Sequence, residues 1–194
     1  MTTPPDLLTR ELRRDGSRPF ITYYDPTTGG RIELSVTTTA NWVAKTAGYL
    51  GDELGIEPDD TVSFDPQLHW ETAVLLLAAW SVGATVDLGA TAGRIEVPLD
   101  PMGAGLSALV AGYPDVFTPA QPSGAEVLEA LAAGVPEGAR ILTVLPLDAA
   151  GIGWGLLAPL AAHGSVVYGG ANAGESERVT HTAGVDVPGL PRLD

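Results

Sequence analysis

The sequence predicts a single α/β domain with a central, largely parallel sheet flanked by helices. Three observations carry this. Short β-branched runs alternate with helical stripes, so successive strands need crossover helices and pair in parallel. The 194 residues are 45% hydrophobic and 18% charged, a globular composition long enough to bury roughly 70% of its unfolded surface. There is no cysteine, so packing rather than disulfides holds the core. Thiol catalysis, zinc–thiolate sites and iron–sulfur clusters are excluded with it.

The elements follow in order. Leu7, Leu8, Glu11 and Leu12 lie at helical spacing in a short helix ending at Asp15-Gly16. Phe20-Ile-Thr-Tyr-Tyr24 is β-branched and aromatic, hence a strand. Asp25-Pro-Thr-Thr-Gly-Gly30 is turn chemistry, and the alternating Arg31-Ile-Glu-Leu34 pairs back as a hairpin. Ala40, Val43, Ala47, Leu50 and Leu54 recur at steps of three and four, one apolar helical stripe. Ser35 or Thr37 caps its start, and Gly55 lies just past its end. Glu57-Pro-Asp-Asp60 turns into the strand Thr61-Val-Ser-Phe64. His69 to Val82 is a helix apolar almost all round, which implies burial, and Gly83-Ala-Thr-Val-Asp-Leu88 is a short strand.

In the second half, Arg94–Val97 and Asp115–Thr118 read as strands on either side of a helix over Gly103–Ala111. Ser123 and Glu126 form a capping box for a helix over Ala125–Ala133. Arg140-Ile-Leu-Thr-Val-Leu145 is a buried strand. Trp154–Ala162 is a helix interrupted by Pro159, and Ser165-Val-Val-Tyr168 is the last strand. The strands Phe20–Tyr24, Thr61–Phe64, Val86–Leu88, Ile141–Leu145 and Val166–Tyr168 are expected to share one sheet. Residues 1–173 form the domain. Residues 174–194, with three glycines, two prolines and no apolar period, form an extended tail without regular structure. Val185, Val187, Leu190 and Leu193 are its anchors, over the domain or across a second copy in a homodimer.

Charge narrows the function classes. Twenty-four acidic against 10 basic residues give a net charge of -14, which repels nucleic acid and an anionic membrane alike. Lysine occurs once, at Lys45. The longest apolar run falls short of the roughly 18 residues of a span, and Met1-Thr-Thr-Pro-Pro-Asp6 has no basic-then-apolar leader. A cytoplasmic location is expected.

Motif candidates are weak. Gly169-Gly-Ala-Asn-Ala-Gly-Glu-Ser176 has the spacing of a phosphate loop, but Glu175 stands where the lysine belongs and repels phosphate. Gly153-Trp-Gly-Leu-Leu-Ala158 matches a loose dinucleotide fingerprint, yet it does not follow its strand directly. Close helix packing explains it better. His69, His163 and His181 share no metal-ligand spacing. His69 reads as a cap or a solvent-facing residue, His163 as a helix C-terminal charge. No G-x-S-x-G elbow is present. Trp80 belongs in the core, and Trp42, beside its helix's stripe, is a candidate interface anchor. No catalytic residue, metal or cofactor is implied.

The order of segments resembles the N-terminal part of the AMP-forming acyl-CoA synthetase superfamily. The matching stretches are Leu50-Gly-Asp-Glu-Leu-Gly55, Gly55-Ile-Glu-Pro-Asp-Asp-Thr-Val62 and Trp80-Ser-Val-Gly-Ala84. A second patch joins Ile141-Leu-Thr-Val-Leu-Pro-Leu147, Gly155-Leu-Leu-Ala-Pro-Leu160 and Gly164-Ser-Val-Val167. More narrowly, the chain is similar to a small actinobacterial family of shortened synthetase-like proteins. The resemblance implies the fold of the first synthetase subdomain.

The departures bear on activity. Nothing between Leu88 and Arg140 fits the family's phosphate loop; Pro122-Ser-Gly124 is the nearest scrap. Asp148-Ala149 replaces the family's histidine or aromatic after Leu-Pro-Leu. The family's later motifs, including the catalytic lysine, would fall beyond residue 194. Adenylation needs cationic or metal stabilisation at the α-phosphate. The expectation is therefore a degenerate domain without adenylation activity, acting as a binding or partner-interaction module. The alternatives are a binder of a nucleotide or acyl group, or a small enzyme with repurposed chemistry using Asp148 and His163. A ligand pocket is expected beyond the carboxyl ends of the strands, near Asp148, Gly151, Gly153 and Trp154.

Overall fold

The computed structural model describes residues 2–64, 66–88, 95–96, 105–120, 135–169 and 181–183. Helix α1 (Pro4–Asp15) starts on a capping box in which Thr3 and Asp6 satisfy each other's backbone N–H groups, and Arg13 and Arg14 close its last turn. Strands β1 (Pro19–Tyr24) and β2 (Arg31–Ser35) form an antiparallel hairpin. Its turn is shaped by the Asp25 carboxylate, which accepts from the Thr27 and Thr28 N–H groups. Helix α2 (Val36–Asp52) is capped by Ser35, whose hydroxyl accepts from the Thr38 N–H. Gly55 at φ +65 lets the Ile56 N–H return to the Leu50 carbonyl.

β3 (Thr61–Ser63) leads to α3 (Trp70–Ser81), in which every residue is buried. β4 (Thr85–Val86), β5 (Ile95–Glu96), α4 (Gly105–Val110) and β6 (Arg140–Thr143) follow. Then α5 (Ala149–Ile152), a π-turn at Gly153–Leu157 and α6 (Ala158–Ala161) run on as one helical stretch into β7 (Ser165–Tyr168). The last described element is β8 (His181–Ala183).

The strands make two sheets. One has the order β2-β1-β7-β6-β8 and is parallel apart from the hairpin; the other, β4-β3-β5, is wholly parallel. The expectation of one shared sheet is corrected here: Thr61–Ser63 and Thr85–Val86 leave it. The reason is α3, which packs against β1 of the first sheet and β4 of the second. Ile21, Val166 and Tyr168 meet Val62 in one core around it. A helix between two apolar sheets has no solvent face, which is why its sequence shows no stripe.

Other expectations change in detail. Asp115–Thr118 is loop, not strand: Lys45 Nζ donates to the Ala111 and Tyr113 carbonyls and pairs with Asp115 at 3.0 Å, tying this segment to α2. The tail is not free of regular structure, because His181–Ala183 pairs in parallel with β6. The rest of 174–194, the Ala125–Ala133 helix with its Ser123 and Glu126, Pro122-Ser-Gly124 and most of the glycine run 169–176 lie outside the described residues. Trp80 is buried. Trp42 is half-buried, packs on the core and meets Trp70 at 5.8 Å between centroids, so it does not stand free as an anchor. Among the described residues, no helix is long and apolar enough to cross a membrane.

Candidate functional site

Strands β1, β7, β6 and β8 run in one direction, and their ends are in register. Tyr23 pairs with Tyr168, Tyr168 with Thr143, and Thr143 with Ala183. Just past this row, the Thr143 hydroxyl accepts from the Leu145 N–H and turns the chain into Leu145-Pro-Leu-Asp148. The Leu147 N–H donates to the Pro66 carbonyl, bringing the loop before α3 to the same edge. This carboxyl edge is where parallel α/β sheets hold ligands.

Asp148 caps α5: its Oδ1 accepts from the Gly151 N–H at 2.9 Å, and its carbonyl accepts from Ile152. Gly151 is obligatory, since a Cβ there would collide with the Pro146 carbonyl. Gly153 is buried and opens the π-turn, its carbonyl accepting from Ala158. Trp154 turns elsewhere, onto the cluster of Val135, Ala139, Ile141, Ala158 and Ala162. Asp148 and Gly151 are thus brought together in one cap, while Gly153 and Trp154 serve the helix and its packing.

Pro159 has no N–H, so the Gly155 carbonyl, four residues earlier, loses its helical donor. The Tyr168 hydroxyl takes that place at 2.7 Å. Its ring is fully buried, which pushes its ionisation far above the ordinary tyrosine range. Turns of the π type recur at functional sites.

Reading the sequence missed a cluster at this edge. His69 caps α3, its Nδ1 accepting from the Glu71 N–H at 3.2 Å. That bond places the ring proton on Nε2. The imidazole meets the Tyr23 ring edge-on at 4.5 Å and Trp70 at 5.8 Å. Burial holds His69 below its ordinary value, against the opposing pull of the Glu71 and Asp25 carboxylates. Burial also raises Tyr23, helped by Asp25 and Glu71. Glu71 itself is buried and accepts from the Leu106 and Ser107 N–H groups at the start of α4. The available signal was His69-Trp-Glu71 before an all-apolar helix, a cap pattern; the Tyr23 contact needs the tertiary fold.

His163 is not brought to Asp148. It precedes β7, whereas Asp148 follows β6, at opposite ends of two parallel strands. Its Nδ1 instead meets the wholly buried Glu11 carboxylate, which also pairs with Arg18 at 2.8 Å. The repurposed Asp148–His163 chemistry therefore has no geometric basis. A groove of about 240 Å³ opens elsewhere, between α1, α2 and the 115–119 loop, with Leu8, Leu12, Asn41, Val116 and Phe117 in its walls. None of Asp148, Gly151, Gly153 and Trp154 lines it. Among the described residues, no three His, Asp or Glu side chains are grouped to hold a metal ion.

With this geometry in view, the chain can be compared with known proteins. No family model matches it. A TIGR03089 family protein of Mycobacterium tuberculosis is 36% identical over 157 residues, 66% of this chain and 65% of that protein. The anthranilate CoA ligase AuaEII, solved with anthranoyl-AMP, superposes with a TM-score of 0.73 at 14% identity, over 93% of this chain and 48% of the ligase. Apo MatB of Rhodopseudomonas palustris gives 0.72 at 17% identity, over 93% and 49%. The N-terminal domain of FACL13 from Mycobacterium tuberculosis gives 0.72 at 14% identity, over 98% and 68%. At these identities the likeness is one of fold. The chain spans about half the length of the ligases and 65% of the mycobacterial relative.

Proposed function

We propose that this chain, which has the fold of the N-terminal subdomain of acyl-CoA synthetases, is a non-adenylating relative that works as a binding module, meeting its ligand or partner at the carboxyl edge of the five-stranded sheet. The observation that carries the reading is the state of Asp148. It stands where the resemblance places a histidine or aromatic after Leu-Pro-Leu, and its carboxylate is engaged as a helix cap. Two further facts support it. The sole lysine is tied to the Ala111 and Tyr113 carbonyls. The groups gathered at the edge, Tyr23 and His69, are held in their uncharged forms by burial. Neutral donors suit hydrogen-bonded recognition better than stabilisation of a pentavalent phosphate.

The alternative within this reading is that the ligand is a nucleotide or an acyl group. A thermal-shift series with ATP, AMP, CoA and short acyl-CoAs separates the cases. A ligand at 100-fold its dissociation constant adds about 2.7 kcal/mol of stability. Stabilisation by one of these compounds, without pyrophosphate release from ATP and a carboxylic acid, supports a ligand-binding module. Pyrophosphate release above a heat-killed control overturns the proposal.

A further inference from the structure

Strand β2 lies at one end of the five-stranded sheet. β1 pairs with one of its sides, and the strand order places no described strand on the other. The hairpin closes with the Asp25 N–H donating to the Gly30 carbonyl at 2.9 Å. Counting along the antiparallel register from there, Ile32 and Leu34 direct their main-chain groups toward Tyr23 and Ile21. The N–H and C=O groups of Arg31 and Glu33 consequently point to the side of β2 away from β1.

The side chains on this edge are arranged with opposite signs. Arg31 and Glu33 share a face, joined by an ion pair at 2.6 Å, and both are exposed. Ile32 lies between them on the other face, 40% exposed, one of four large apolar side chains so open to solvent among the described residues. Arg31 is also steadied by Tyr24, with its Nε donating to the phenol oxygen at 3.2 Å and its guanidinium 5.8 Å from the ring centre. Edge strands are usually protected by charges of one sign, which repel a second copy. An Arg-x-Glu edge does the opposite. Turned about a two-fold axis through Ile32, it sets each Arg31 against the Glu33 of the second copy, with Ile32 on Ile32 at the axis. These are the positions whose main-chain groups face outward, so the same register pairs both backbone and charge. An axis through Glu33 would oppose two carboxylates and is disfavoured.

We propose that β2 is a self-complementary edge through which two copies of this chain pair antiparallel, joining their five-stranded sheets into one. The occupant is a second copy because the charge order of the strand is complementary to itself. Each Glu33, which has its own Arg31 at 2.6 Å and Arg140 at 4.0 Å, would then also face the guanidinium group of the second copy. Only a short strand pairs, and each copy carries a net charge of -14, so association is concentration-dependent and not permanent. This pairing is independent of the carboxyl-edge reading, because β2 is a different part of the molecule from Asp148 and its cap.

Sedimentation velocity on the full chain over a wide concentration range tests it, with circular dichroism to verify folding of each variant. Wild type is expected to dimerise. Arg31→Glu and Glu33→Arg, each alone, place like charges across the axis and should weaken the dimer at least tenfold. An equimolar mixture of the two single variants should restore a heterodimer, because every cross-strand pair is again opposite in sign. The double variant should restore the homodimer. Glu33 also accepts from the Thr22 hydroxyl, so if Glu33→Arg does not fold, Ile32→Lys replaces it and should weaken the dimer by placing two ammonium groups at the axis. A wild type that stays monomeric at several hundred micromolar overturns the proposal. A dimer unchanged in Arg31→Glu, or lost on deleting residues 174–194 but not in Arg31→Glu, overturns it as well.

Discussion

Tyr168 and His69 show how single groups are conditioned by what surrounds them. The Tyr168 hydroxyl is the replacement donor for the Gly155 carbonyl that Pro159 cannot serve. Tyr168→Phe leaves that buried carbonyl unpaired and should cost about 1–3 kcal/mol, read as a lower urea midpoint with unchanged slope. His69 gives a pH signature. Its folded value lies below the ordinary 6.5 because burial disfavours the charged form. The unfolded chain therefore binds the proton more readily, and stability falls as pH drops through about 6.5 toward the lower folded value. His69→Asn keeps a capping side chain but does not titrate. Its stability should be flatter across that window, and an unchanged slope in pH-dependent denaturation would dismiss the assignment.

At the scale of elements, the clamp between α1 and the turn before β7 is the clearest case of structure fixed by charge. Glu11 is wholly buried, with Arg18 at 2.8 Å and the His163 ring against it; Arg18 also donates to the Gly164 carbonyl. His163 holds a left-handed backbone at φ +56, uncommon for a residue with a Cβ. Arg18→Ala leaves the buried Glu11 carboxylate with only Arg10, at 3.5 Å, and the His163 ring on its other oxygen, and should destabilise by up to about 3 kcal/mol, measurable as a drop in melting temperature. Glu11 was legible in the sequence only as a helical position. Beside its neighbour Arg10 at 3.5 Å, the partners that bury it lie 7 and 152 residues away, beyond any local pattern. By contrast, Ser35, Gly55 and the hairpin were readable because caps and turns are decided within a few residues. The Asp115–Thr118 segment failed for the reverse reason: its β-branched composition is local, but Lys45 decides its path.

For the whole molecule, the α/β class and the helix–strand order were legible, because alternation of periods encodes them. The division into two sheets was not. Alternation says that strands pair in parallel, but not which pair; α3 makes the division by offering apolar surface on both sides. The carboxyl edge was located by the direction of the strands, and Asp148 with Gly151 was found there. Tyr23 and His69 were not, since they come from distant segments. At this scale the expectation is that the intact chain forms no acyl-adenylate from ATP and any of a panel of carboxylic acids, measured by pyrophosphate release.

The strand order has a consequence for how the protein is made. β1 lies between β2, its neighbour in the chain, and β7, so Ile21 waits for Val166. During synthesis the hairpin and α2 form early, yet the inner side of β1 stays open until most of the chain has left the ribosome. Non-local closure of this kind is slow and exposes an apolar edge to other nascent chains. Chains stalled before residue 160 should be cleaved rapidly by protease within β1, and those carrying residue 168 beyond the exit tunnel should resist.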